Sequence, residues 1–160
     1  MVMLKKVISG GQTGVDRAGL DAALAAGFPT GGYCPKGRLA QDGTIPDTYP
    51  MIEMDSPESC YRTEKNVLES DGTLILNKGE LTHGTLLTHQ FAVKYGKPNL
   101  IVQLDAAVFI TPEQVIRWIN GQSIGVLNVA GPKESKYPGG IYAEAHTYLE
   151  QVFSKIKDIV

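Results

Sequence analysis

Cysteine is nearly missing from this chain of 160 residues: Cys34 and Cys60 are its only two. They form no C-x-x-C, and with three scattered histidines they give no zinc-ligand spacing, so no protein-bound metal is expected. Free, buried thiols in a reducing compartment are the expected reading. Long apolar runs are missing too, which counts against a membrane-spanning helix and any membrane partner. The opening Met1-Val2-Met3-Leu4-Lys5-Lys6-Val7 has its lysines after the short apolar piece, the wrong order for a signal peptide, and the cytoplasm is expected. Nor is there an excess of positive charge. Fifteen Lys and Arg against 17 Asp and Glu leave a formal net charge of −2 and a pI near 5.9. A chain-wide basic field is lacking, so no nucleic-acid partner is expected, while a local basic pocket stays open. Two phosphate signatures are also lacking. No G-x-G-x-x-G with an acid about twenty residues later points to NAD, and the glycine-rich stretch near the start lacks the lysine of G-x-x-x-x-G-K-[ST].

What the chain does have suits one globular domain over residues 1–160: 42% hydrophobic and 20% charged residues. Apolar runs and helical patterns alternate along it. Lys6–Ser9 reads as a buried strand, and Val15–Ala26 as a helix with Leu20 and Leu24 on one face, stopped by Gly27 and Phe28-Pro29. A short strand is expected over Gly31–Cys34, a long loop over Pro35–Pro50, and a short strand over Met51–Met54. Ser56-Pro57-Glu58 signals an N-cap and first turn for a helix running to Glu69. Thr73–Leu76 has the continuous apolar pattern of a central parallel strand. After a loop over Asn77–Thr85 comes a helix over Leu86–Tyr95, then a strand at Leu100–Val102. Thr111 and Gln114 form a capping box, with Val115, Ile116 and Ile119 on the inner face of the helix they start. A strand over Ile124–Ala130 and a helix over Gly140–Lys157 complete the chain. The fold class is α/β: a three-layer, Rossmann-like, doubly wound and mostly parallel sheet. Ligands of that architecture sit outside the carboxyl ends of the strands.

The residues at those ends are small, polar or cationic. The first strand leads into Ser9-Gly10-Gly11-Gln12-Thr13-Gly14-Val15-Asp16-Arg17, whose three glycines let a ligand approach backbone amides at a helix entrance. A phosphate cradle is expected there, against the alternative of a tight turn with no ligand. Lys36 and Arg38 follow the second strand, Gly84 and Thr85 close the loop after Thr73–Leu76, and Asn128, Gly131 and Ser135 follow the last. Bare amides, hydroxyls and a few cations are what a phosphorylated ligand needs. Thr85 serves equally well as a simple N-cap. Of the histidines, His83 in the loop is a candidate ligand or acid, His89 faces solvent or a neighbour, and His146 is structural. Trp118 and most tyrosines are packing residues, with Tyr137 and Tyr142 placed to stack on a ring.

Several of these stretches together resemble a known family. They are Ser-Gly-Gly-Gln-Thr-Gly-Val-Asp-Arg-Ala-Gly-Leu-Asp (9–21), Pro-Lys-Gly-Arg (35–38), Gln-Asp-Gly-Thr-Ile-Pro (41–46), Tyr-Arg-Thr-Glu-Lys-Asn-Val (61–67), Ser-Asp-Gly-Thr-Leu-Ile-Leu (70–76), Gly-Thr (84–85) and Asn-Val-Ala-Gly-Pro-Lys-Glu-Ser (128–135). In this order they resemble the putative molybdenum carrier family. That family lies in a Rossmann-like group with molybdenum cofactor carriers, lysine-decarboxylase-like phosphoribohydrolases and the DNA-processing protein DprA. The resemblance implies a nucleotide- or pterin-phosphate site at the strand ends, and molybdopterin as a carried ligand. It also implies a homo-oligomer, dimer or tetramer. In the phosphoribohydrolase branch an arginine stands eight residues before a Ser-Asp pair, the step from Arg62 to Ser70 here, which brings Arg62 into the site. That branch continues P-G-G-x-G-T-x-x-E. In this chain Lys-Gly-Glu-Leu-Thr-His (78–83) replaces the start, and Thr88 stands where the glutamate belongs. Glycoside cleavage needs a carboxylate to assist departure of the base. A binding protein without an evident catalytic apparatus is therefore the leading expectation. Its alternatives are a nucleoside-monophosphate N-glycosidase, with Glu64 or Glu80 as substitute acid, and a non-catalytic nucleotide sensor.

Overall fold

A computed structural model describes residues 4–158. Five strands form one sheet: β1 (Lys6–Ile8), β2 (Thr30–Gly31), β7 (Gly72–Asn77), β8 (Asn99–Gln103) and β9 (Val126–Ala130), in the order β2-β1-β9-β7-β8. Every pairing in it is parallel. Helices α1 (Val15–Ala25), α4 (Pro112–Gly121) and α5 (Tyr142–Asp158) pack together on one face, and α2 (Ser59–Glu69) packs with α3 (His83–Lys94) on the other. This is the doubly wound α/β arrangement expected of the sequence.

The period of two along each strand separates core from site. Leu74 and Leu76 of β7 and Leu127 and Val129 of β9 join the main core with Val15, Ala18, Val115, Ile119, Leu149 and Phe153. Thr73 and Asn128 point the other way, and the Asn128 amide donates to the Thr73 hydroxyl at 3.3 Å. Chain direction then opens a crevice. From β1 the chain turns through α1 toward β2, and from β7 through α3 toward β8 on the opposite face. Between these diverging paths the carboxyl ends of β1, β9 and β7 are left uncovered, the topological switch point of an open parallel sheet.

Several local details differ from the sequence reading. Gly32 interrupts the expected strand over Gly31–Cys34: its first half is β2, while β3 (Tyr33–Cys34) leaves the main sheet and pairs with β6 (Ile52–Glu53). The long loop after it holds a small hairpin, β4 (Leu39–Ala40) with β5 (Gly43–Thr44). Helix α2 begins at Ser59, not beside Ser56; the Ser56 hydroxyl instead accepts from the Glu58 amide at 3.1 Å as a local turn. Helix α3 begins at His83, so Thr82 takes the N-cap position and Thr85 lies inside the first turn. The last strand starts at Val126, with Ile124 buried just before it. Leu24 is 45% exposed, because Ala22 and Ala23 turn inward in its place. The Thr111–Gln114 capping box and the buried Val115, Ile116 and Ile119 face stand as read. Cys34 and Cys60 are free thiols. No helix of the described residues is long and apolar enough to cross a membrane.

Candidate functional site

A cleft of about 460 Å³ lies over the carboxyl ends of β1, β7 and β9. Four segments wall it. The loop after β1 with the first turn of α1 supplies Gly10, Gln12 and Asp16, and α2 supplies Ser59, Arg62, Thr63 and Asn66. The start of α3 supplies Thr82, His83, Gly84, Thr85 and Thr88, while Asn128 and the loop after β9 add Gly131, Pro132, Lys133, Ser135 and Lys136.

Arg62 reaches the glycine loop from across the cleft. Its Nη1 donates to the Gly10 carbonyl at 2.7 Å and its Nε to the Thr63 hydroxyl at 3.3 Å. The loop itself is closed by its own side chains. The Gly11 amide donates to the Ser9 hydroxyl at 3.2 Å, that of Gln12 to Asp16 Oδ2 at 3.2 Å, and that of Thr13 to Gln12 Oε1 at 2.9 Å. The Val15 amide donates to the Pro132 carbonyl at 3.2 Å. Four amides of the glycine loop are therefore already used inside the protein.

The other helix entrance on the cleft is different. Among the described residues, no acceptor takes the amides of His83 and Gly84, as the geometry of a helix start dictates. Thr85 is 6% exposed and has no side-chain hydrogen bond among the described residues, and Thr88 donates its hydroxyl to the Gly84 carbonyl at 2.8 Å. His83 has a φ of 47°, a left-handed conformation that a non-glycine residue adopts at a cost of about 1 kcal/mol or more. Three cations, Arg62, Lys133 and Lys136, and one carboxyl group, Asp16, are among the lining residues, and the Lys136 ammonium donates to the Glu80 carbonyl at 3.4 Å. Asp16 is 7% exposed, and burial pushes its carboxyl from 3.8 up to about 6, against the opposing pull of Arg62, the Gln12 amide and Arg17.

Of the residues expected in a site, Gly10, Gln12, Asp16, Arg62, Gly84, Thr85, Asn128, Gly131 and Ser135 line the cleft, and six do not. Gly11 packs against Ile45 and Met51. Gly14, at φ 85°, stands where a Cβ would collide with the Pro132 carbonyl oxygen. The Thr13 hydroxyl donates to Gln41 Oε1 at 2.8 Å. Arg17 grips both carboxylate oxygens of Asp42, at 2.6 and 2.8 Å, and Arg38 donates to the carbonyls of Ile45, Pro46 and Tyr49. Lys36 sits exposed beyond the cleft, its amide held by the Ser56 carbonyl. Both arginines thus order the long loop over residues 35–50.

The sequence reading passed over Ser59, Thr63, Asn66, Lys133 and Lys136. Ser59, Thr63 and Asn66 share one helical face with Arg62, at i−3, i+1 and i+4, a signal that could have drawn them in; Lys133 stands in the stretch over residues 128–135 with no charge pattern to mark it, and Lys136 lies in the short 3-10 helix Glu134–Lys136 at its end. The proposed substitute acids are occupied or elsewhere: Glu64 accepts from the Tyr95 hydroxyl at 2.5 Å, and Glu80 does not line the cleft. The Lys78 and Lys136 ammonium groups each stand 5.4 Å from the Tyr137 ring centroid, and Tyr142 donates to Asp21, so both rings are engaged by the protein. His89 meets Asn99, and His146 stacks on Tyr142. No group of three or more potential metal ligands clusters among the described residues.

The model of the circularly permutated YpsA SLOG family matches residues 7–153. A crystal structure from Syntrophus aciditrophicus, described as a putative molybdenum carrier protein, superposes with a TM-score of 0.85 at 47% sequence identity. The match covers 94% of this chain and 95% of that one. Comparison with curated proteins gave no match. The resemblance read from the motifs agrees with both findings, and the match spans nearly all of the sheet and the cleft: the chain belongs to the circularly permutated YpsA SLOG family.

Proposed function

We propose that the chain is a binding protein for a phosphorylated pterin or nucleotide-like ligand, and that the cleft holds that ligand. The observation that carries this reading is the convergence of unpaired amides at the start of α3 with Arg62, Lys133 and Lys136 around one cavity. A helix entrance attracts an anion through its N–H groups and its dipole, and nearby cations add charge-assisted bonds. Under this reading the phosphate sits at Gly84 and Thr85, not in the glycine loop, whose amides are largely spent. Gly10, Gln12 and Asp16 then form the opposite wall. Gly131 and Ser135 border the phosphate, and Asn128 forms the floor.

The description of the Syntrophus protein as a molybdenum carrier supports molybdopterin as one ligand of this class. A dithiolene-bound molybdenum needs no ligand from the protein, in keeping with the donor set of the cleft. Carriage is preferred to cleavage because Thr88 stands where the motif's glutamate belongs and neither Glu64 nor Glu80 lines the cleft, which leaves Asp16 as its one carboxyl group. A cytoplasmic homo-oligomer completes it: Tyr61 and Leu68 on α2, and Leu86 and Val93 on α3, are exposed apolar residues that a second copy would cover. Mass spectrometry of small molecules released from the purified chain, with metal analysis, tests the reading. A phosphorylated pterin or nucleotide is the expected finding. Release of free base from nucleoside monophosphates at ordinary turnover would favour the glycosidase alternative instead.

A further inference from the structure

A cleft that holds an anion gains nothing from a buried carboxylate, yet Asp16 is the one carboxyl group among its lining residues. Structural duty explains only half of it. Oδ2 accepts the Gln12 amide at 3.2 Å, a bond that the carbonyl of an asparagine would accept equally well. Besides Gln12, the Gly10 amide also pulls on the carboxyl, but no hydrogen bond to Oδ1 is formed by the described residues, although Asp16 is more than nine-tenths buried. Arg62 stands nearby without closing onto it: no ion pair joins them within 4.0 Å, and its guanidinium is turned to Gly10 and Thr63. The other charged or titratable groups around Asp16 are Arg17 on its own helix, His83 on α3, and Lys133 and Lys136 on the loop after β9. A buried acceptor left open toward a cavity asks for a donor from whatever fills the cavity.

We propose that Asp16 is the specificity group of the cleft, accepting the paired N–H donors of a 2-amino-4-oxopyrimidine edge, the edge shared by guanine and pterin. The inference rests on the phosphate reading given above. An ionised carboxylate accepts and never donates. Adenine flanks its amino group with ring nitrogens that are themselves acceptors, so it sets lone pair against lone pair. The 2-amino-4-oxo edge puts a ring N–H beside an amino N–H with no acceptor between them. Oδ1 takes one of these donors, and the spare lone pair of Oδ2 takes the other. Phosphate held at α3 and a donor edge held at Asp16 then orient the ligand across the cleft.

The test is calorimetric titration of the full chain at pH 7.5 with GMP, AMP, neopterin monophosphate and ribose 5-phosphate, for wild type and Asp16→Asn. Wild type is expected to bind GMP or neopterin monophosphate at least about tenfold more tightly than AMP, the worth of a charge-assisted hydrogen bond. Which of the two is tighter identifies the source of the edge. In Asp16→Asn that preference should shrink to about threefold or less, with ribose 5-phosphate bound as well as before or better. The GMP-to-AMP ratio, in which the titration of the phosphate cancels, should also fall as pH is lowered through the titration of Asp16. Equal binding of GMP and AMP by wild type would overturn the proposal and leave the phosphate reading standing. Ribose 5-phosphate binding as tightly as GMP, with all ligands weakened alike in Asp16→Asn, would assign Asp16 to the ribose diol and also overturn it. If none of the four binds, the phosphate reading itself fails and this inference falls with it.

Discussion

Arg62 and Gly10, 52 residues apart in sequence, are locked by a 2.7 Å bond from the guanidinium Nη1 to the glycine carbonyl. A Cβ on Gly10 would stand 2.5 Å from that same Nη1 and 2.9 Å from Asp16 Oδ2. The glycine is therefore the space in which the cation of α2 meets the loop after β1. Gly10→Ala should displace the mobile tip of Arg62 and weaken ligand binding about tenfold, at a stability cost of about 1 kcal/mol or less. Arg62→Ala should weaken it at least as much. Titration with a nucleoside monophosphate, read beside a thermal melt, separates the two effects.

Asp16 should make the unliganded protein less stable at neutral pH. Its carboxyl binds a proton more tightly folded, at about 6, than unfolded, at 3.8. Between those values the folded state holds more protons, so this group's contribution falls as pH rises through the window and its cost is complete above pH 6. The cost is about 3 kcal/mol. Asp16→Asn should therefore raise Tm by several degrees at pH 7.5 and by much less near pH 4, as scanning calorimetry at both values would read.

Gly14→Ala tests a different glycine. Its φ of 85° and the Pro132 carbonyl oxygen in the path of a Cβ leave no small adjustment open, since the obstacle is backbone. A loss of roughly 2 kcal/mol or more is expected in a denaturant melt. The contrast with Gly10→Ala distinguishes a glycine that shapes the loop from one that makes room for a side chain.

The long loop over residues 35–50 is fastened at Asp21, whose carboxylate accepts from the Tyr49 hydroxyl at 2.6 Å and from the Tyr142 hydroxyl at 2.5 Å. Burial, and then the bond to Asp21, push the Tyr49 phenol up to about 12. Asp21→Asn should loosen the loop, and hydrogen exchange over residues 39–49 should speed up by about tenfold. Exchange in β7 should not change.

The architecture was legible in the sequence because parallel strands and amphipathic helices declare themselves by period, and because Thr111 with Gln114 marks a helix start by chemistry alone. The site was legible only in part. Arg62 entered through its spacing to Ser70, and Gly84 and Thr85 through their place after β7. Arg17 and Arg38 looked like phosphate ligands because charge near a glycine loop does not say where a side chain points; the structure spends both on the loop over residues 35–50. Likewise, three glycines announce a tight turn, but the capture of its amides by Ser9, Gln12 and Asp16 depends on rotamers that a linear pattern does not encode. Lys133 sits in the stretch over residues 128–135 and Lys136 in the short 3-10 helix Glu134–Lys136, and nothing in a linear pattern says that either lines the cleft.

The most direct test of the account is calorimetric titration of the full chain with GMP, beside Arg62→Ala under the same buffer and salt. Saturable one-to-one binding by wild type, weakened about tenfold or more in a variant that still melts cooperatively, is the expected result. Equal binding by both proteins, or none by wild type at millimolar ligand, would contradict a phosphate-holding cleft.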